Sequence, residues 1–289
     1  PLQSGEYGVT YSKTVNGVPQ SCNYAIFVGA EGLRVELTWD NLGIEGAEGA
    51  AKGPDLDLHL HRPDTTTPWG FDKGSTDDCY YGNCRIEHFS GSETPFGNKV
   101  IDWFNTSGPS PLNWSKNTSC YSVPISGGQW AALNKGCHNP RLDTDTFSCD
   151  AKILDPNNPE FCAPENINLD EVPDNAWFRV GVHYNALCSP KETRPVLTIY
   201  CDGGQVARIG SDKVNNQLVP SGYGEPVTFK PEDCNKKFWV AADIRIQRTE
   251  CALQCTVLPI YQNPTSKTPY FLTPAAAETS FGPPYPPVP

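Results

Sequence analysis

The chain has 289 residues, with 33 acidic against 22 basic side chains, a net charge of -11, twelve cysteines and no methionine. That acidic balance excludes a nucleic-acid surface, which needs clustered Lys and Arg to displace counterions, and no apolar run is long enough to insert in a membrane as a helix. A reducing compartment would leave so many thiols open to oxidation, so an even count spread from Cys22 to Cys255 reads as a disulfide framework made on a secretory route, and the protein is expected outside the cell or on its surface.

In chain order, residues 1–20 are polar and contain glycine, and Tyr7-Gly-Val-Thr-Tyr11 is suited to an edge strand. Residues 21–262 read as one disulfide-rich domain without an internal repeat. Its first clear strand is Leu33-Arg-Val-Glu-Leu-Thr-Trp39, where Leu33, Val35, Leu37 and Trp39 face inward and Arg34, Glu36 and Thr38 face out. The next is Asp55-Leu-Asp-Leu-His-Leu-His61, with its leucines on one face. Residues 62–165 hold six of the twelve cysteines and are expected to be loops stapled in place. Three sequons cluster there, at Asn105, Asn113 and Asn117, as an exposed glycan-carrying loop would show, although a Ser/Thr-rich loop also yields such triplets by chance. Residues 177–184, 196–200 and 238–246 alternate as strands again.

Strands of this kind, joined by loops that use most of the 25 glycines and 28 prolines, predict an all-β, antiparallel, jelly-roll-like β-sandwich. The last stretch, 263–289, carries eight prolines and predicts an extended polyproline arm that forms neither helix nor central strand. Pro283, Pro284, Tyr285, Pro286 and Pro287 are its candidates for docking on a neighbouring copy, because flat rings and free carbonyls suit an aromatic groove. Among the cysteines, Cys79 with Cys84 and Cys251 with Cys255 are each close enough to bridge locally. The favoured bridges are Cys79 with Cys84, and Cys188 with Cys201 as the clip of a hairpin between residues 180–184 and 196–200.

The segment richest in chemistry is 55–61, whose polar face carries Asp55, Asp57, His59 and His61 two residues apart. Asp143 and Asp145 form a second Asp-x-Asp, and Pro164-Glu-Asn-Ile-Asn168 adds oxygen donors. Oxygen ligands from three separate segments suit a structural Ca2+, which takes six to eight of them. Carboxylates satisfied by loop amides, or simply exposed, would give the same pattern. His59, His61 and His183 could instead ligate zinc for hydrolysis, but no partner base stands out. No nucleophile elbow, zincin helix or phosphate loop is present.

These motifs, in the order Thr38-Trp-Asp40, Asp55-Leu-Asp-Leu-His-Leu60, Leu142-Asp-Thr-Asp145, Pro164-Glu-Asn-Ile167 and Phe178-Arg-Val-Gly-Val-His-Tyr184, resemble a group of secreted β-sandwich domains of microbial surface proteins. That group includes the YfaP-like domain and, more loosely, pre-peptidase C-terminal domains. The resemblance spans about residues 33–246 and implies an accessory, non-catalytic role in binding, anchoring or assembly. The expectation is therefore a secreted, glycosylated structural or adhesive subunit that self-associates through its C-terminal arm. The alternative is a carbohydrate-binding module that stacks a cell-surface glycan on Trp69, Tyr80, Tyr81, Trp103, Trp114 and Trp130.

Overall fold

The computed structural model describes residues 5–28, 32–40, 54–71, 75–84, 103, 140–144, 165–169, 172–185, 191–214, 217–249 and 252–287. The strands run β1 Gly5–Val15, β2 Val18–Val28, β3 Leu33–Trp39, β4 Leu56–His61, β5 Asp78–Cys79, β6 Arg141–Thr144, β7 Glu165–Leu169 and β8 Trp177–Tyr184. After these come β9 Pro195–Cys201, β10 Gly204–Val214, β11 Gln217–Ser221, β12 Phe238–Arg248, β13 Leu253–Pro259, β14 Tyr261–Asn263 and β15 Thr268–Leu272, with a single turn of helix, α1, at Pro274–Ala277.

Two antiparallel sheets form the sandwich. One has the order β11-β10-β9-β3-β7-β6 and the other β14-β15-β12-β8-β4-β5, with β13 also paired to β12. Five connections cross between the sheets: β3 to β4, β5 to β6, β7 to β8, β8 to β9 and β11 to β12. The alternation in the sequence explains the core. Leu33, Val35, Leu37 and Trp39 of β3, at 1% exposure or less, meet Leu56, Leu58 and Leu60 of β4 and Phe178, Val180 and Val182 of β8 in one apolar layer. Deep polar groups there find partners. Trp39 Nε1 donates to the Pro54 carbonyl at 3.0 Å, and Trp239 Nε1 to the Tyr223 hydroxyl at 3.2 Å, which itself donates to the Ala241 carbonyl.

β12 departs from strict alternation. Its pairing with β8 shifts between Val240 and Ala242, so that Val240 faces Gly181 while Asp243 faces Arg179, and both project from the outer side of the sheet. The outer side has its own small core, formed by Trp69, Phe71, Phe238, Val240, Ile260 and Ala277. Gly181 makes room for it: a Cβ there would lie 2.2 Å from the Phe238 ring.

Two expectations about residues 180–201 change. Residues 196–200 do not form a hairpin with residues 180–184, because β8 and β9 belong to opposite sheets. Cys201 accordingly points between the sheets and bonds Cys255 of β13, with Cα atoms 6.0 Å apart, rather than Cys188, which lies outside the described residues. Cys79 and Cys84 are bonded, and Cys234 is also in a disulfide.

The C-terminal stretch is not simply an extended arm. β15 pairs with β12 and β14, and Pro269 is tolerated opposite Tyr261 near the short outer strand. Pro274 starts α1, where its missing N–H is no loss, and the Thr273 side chain caps Ala276. At the other end, the expected edge strand is one arm of a long hairpin, β1 with β2. It is closed by Asn16-Gly17 at positive φ, 51° and 80°, the two-residue turn this dipeptide favours.

Candidate metal centre

β4 is paired to β8 along its length, but β5 covers its opposite edge only at Leu60 and His61. Glu165, the first residue of β7, reaches that edge from the other sheet. Its register opposite Leu37 of β3 turns it toward the interlayer, and Oε2 accepts the Leu58 N–H at 2.9 Å. There it meets Asp55 and Asp57, and the three carboxylates offer oxygens all within 4.8 Å of one another. They are 4%, 2% and 1% exposed in the order Asp55, Asp57, Glu165.

Such proximity raises the electrostatic energy of three negative charges unless protons or positive charge offset it. The donors are hard oxygens without imidazole or thiolate, which suits Ca2+, Mg2+ or Mn2+ above zinc. Oxygens this close can share one Ca2+, which binds each at about 2.3–2.6 Å. Of the expected ligands, the structure brings Asp55 and Asp57 together and adds Glu165 from the segment read as an oxygen supply. The side chain of Asp143 and the whole of Asp145 lie outside the described residues, as do Asn105, Asn113 and Asn117.

The histidines do not converge as a zinc site. His61 is held by its own turn, with Nε2 2.9 Å from the Thr67 carbonyl and Nδ1 3.1 Å from that of Arg62. His59 Nδ1 lies 2.7 Å from Asp78 Oδ2, so the nitrogen donates and the carboxylate, which also takes the Gly70 N–H, fixes the ring. That ring stacks on Tyr80 at 5.1 Å and meets Phe238 edge-on at 5.2 Å. His183 stands beside Asp57, Nδ1 to Oδ2 3.8 Å, with its ring centre 6.4 Å from that of His59. Burial, and secondarily the His59 imidazole, push its pKa down to about 3, so His183 is neutral at physiological pH. Burial likewise lowers that of His61.

The imidazoles of β4 are covered by residues from 62–71 and 75–84 and by the C-terminal strap beyond β15. Trp69 stacks across Phe281 and meets His61 edge-on at 5.2 Å. Arg179, fully buried, grips Asp243 with Nε at 2.6 Å and Nη2 at 2.8 Å, while the Phe281 ring lies 3.9 Å from the guanidinium carbon. The sequence contains no periodic signal for this ion pair; only its outward position on β8 is legible. Trp69, Tyr80 and Trp103, expected as stacking platforms for sugar, are instead 3%, 0% and 7% exposed and pack the protein's interior. Trp114 and Trp130 lie outside the described residues.

Fold and site together define a class: an antiparallel β-sandwich, stapled between its sheets by a disulfide, with an acidic trio at a sheet edge and a roofed outer face. Comparison with family models, with curated proteins and with solved structures finds no match for this chain.

Proposed function

We propose that the chain is a secreted, non-catalytic structural or adhesive subunit of an extracellular assembly, steadied by a cation at Asp55, Asp57 and Glu165. The supporting observation is that, among the described residues, the imidazoles of β4 are used for packing. His59 and His61 are 0% exposed, held by Asp78 and by local carbonyls, and roofed by Trp69, Phe71 and Phe281, so a substrate has no route to them. A cross-sheet disulfide and a paired buried arginine stiffen the body, as suits a part that bears load. The motif-level resemblance to microbial surface domains points the same way, and Asn105, Asn113 and Asn117 would carry its glycans.

One experiment with two readouts tests this reading on the native, disulfide-intact chain. Light scattering over rising concentration is expected to show particles larger than one chain, and a monomer throughout would exclude the assembly role. The melting temperature is expected to rise with Ca2+ and fall in chelator. A ligand at one hundred times its Kd adds about 2.7 kcal/mol to the folded state. Asp57→Asn with Glu165→Gln should remove that dependence, and a melt that ignores chelator would return the trio to ordinary hydrogen bonding.

A further inference from the structure

On the outer face of the seven-stranded sheet, residues 281–287 lie as an extended peptide lies in a receptor. Their backbone is read by fixed donors: Trp69 Nε1 donates to the Phe281 carbonyl at 3.2 Å, and Arg179 Nη1 donates to the carbonyls of Phe281 and Pro283. Their rings fill the surface between. Phe281 packs at 4.6 Å on His61, and Tyr285 lies 4.9 Å over the Arg179 guanidinium with its ring 6.1 Å from that of Trp177. Carbonyls on placed N–H groups and rings on aromatics, without strand pairing, are the means by which proline-rich segments are recognised.

The seat does not depend on the covalent link to it. Ala277 is anchored by its carbonyl to the Trp69 N–H, 3.0 Å, and Phe281 is buried, but Thr279 and Ser280 between them are exposed. A strap arriving from another molecule would make the same contacts with Trp69, Arg179, His61 and Trp177, leaving only the path of residues 278–280 to differ.

We propose that this groove accepts residues 281–287 of a second copy, so that copies link head to tail by exchanging straps. This rests on the assembly role proposed above and supplies its contact. A second copy is the favoured occupant, because the groove is already filled by Phe281, Pro283 and Tyr285, which every copy carries. The exchange conserves contacts, so its balance is set by chain concentration against the local concentration of a tethered strap, in the millimolar range for a short link. Where the chain of exchanges does not close, it propagates as a filament.

Shortening the link tests this. Deleting Glu278, Thr279 and Ser280 brings the Cα atoms of residues 277 and 281 to about 3.8 Å, where even a helical path over four residues advances about 6 Å, so one chain can no longer fill both seats. Light scattering of the full chain with this deletion is expected to give at least twice the monomer mass at concentrations where the unaltered chain is monomeric. Adding Phe281→Ala and Tyr285→Ala should return it to monomer. A shortened chain that stays monomeric overturns the proposal, and so do oligomers that survive the two alanines. Should the shortened chain fail to fold, the otherwise intact Phe281→Ala/Tyr285→Ala chain is expected to bind a labelled synthetic peptide of residues 279–289, read by fluorescence anisotropy, and absence of binding overturns the proposal equally. An unaltered chain that never assembles, beside a shortened one that does, would sink the assembly role and leave the groove standing.

Discussion

Asp243→Ala is expected to destabilise the fold by about 3–5 kcal/mol, the range for removing one partner of a buried ion pair, read as a lower midpoint in urea. Arg179 has no exposure, and two of its three nitrogens are held by Asp243. Burial pushes the Asp243 carboxyl up from its ordinary pKa while the Arg179 hydrogen bonds and charge act against that rise, and the two-point contact is what offsets the desolvation of both groups. Without the carboxylate, the guanidinium keeps, among the described residues, the carbonyls of Phe281 and Pro283 and the rings of Phe281 and Tyr285, which do not neutralise it. The strap should loosen with it, because those contacts require a guanidinium fixed in place. Arg179→Met with Asp243→Leu separates charge from packing: replacing both partners by apolar residues is often neutral or stabilising, so the double variant should recover most of the loss. If Asp243→Ala unfolds at the unaltered midpoint, or the double variant is worse than the single one, the ion-pair account is wrong.

The sequence displayed the sandwich wherever the period of two ran unbroken. Residues 33–39 and 177–184 are strands with the expected ends, and the leucines of 56–60 face the core as their spacing requires. Legibility ended where a local irregularity changed the parity. The shift in register at Ala241 places Asp243 on the outer face with Val240, whereas simple alternation sets them on opposite faces. The cover over His59 and His61 was hidden for another reason. Trp69 and Phe281, which supply it, come from a turn-rich loop and from a stretch more than two hundred residues later. Proline content at 263–289 pointed to neither helix nor central strand, yet Pro274 opens α1, and β15, whose Pro269 sits where a strand tolerates it, lies between β14 and β12. Glu165 was visible as a potential oxygen donor, yet its meeting with Asp55 and Asp57 depends on how β7 and β4 lie across the sandwich, and spacing along the chain does not contain that.

The Cys201–Cys255 bond shows the same limit, and it supplies the other large effect. Sequence separation favours near neighbours, but a side chain on β9 that alternates with Leu197 and Ile199 points into the interlayer, and so meets whichever cysteine the opposite sheet presents. The bond closes 54 residues of chain, against 5 for Cys79–Cys84. In the chain-entropy account the stabilisation grows with the logarithm of loop length, giving about 4 kcal/mol for the long loop and about 2 kcal/mol for the short one. Cys201→Ala/Cys255→Ala is therefore expected to lower stability about twice as much as Cys79→Ala/Cys84→Ala, measured by urea unfolding with the remaining disulfides oxidised. The two losses should also differ in kind. Freeing β9 from β13 releases one sheet from the other and should affect the whole transition. Opening the 79–84 loop should act first on Asp78, whose carboxylate orients His59 beneath the roof. Equal losses, or a greater one from the short loop, would mean that the cross-sheet bond is not what ties the sandwich together.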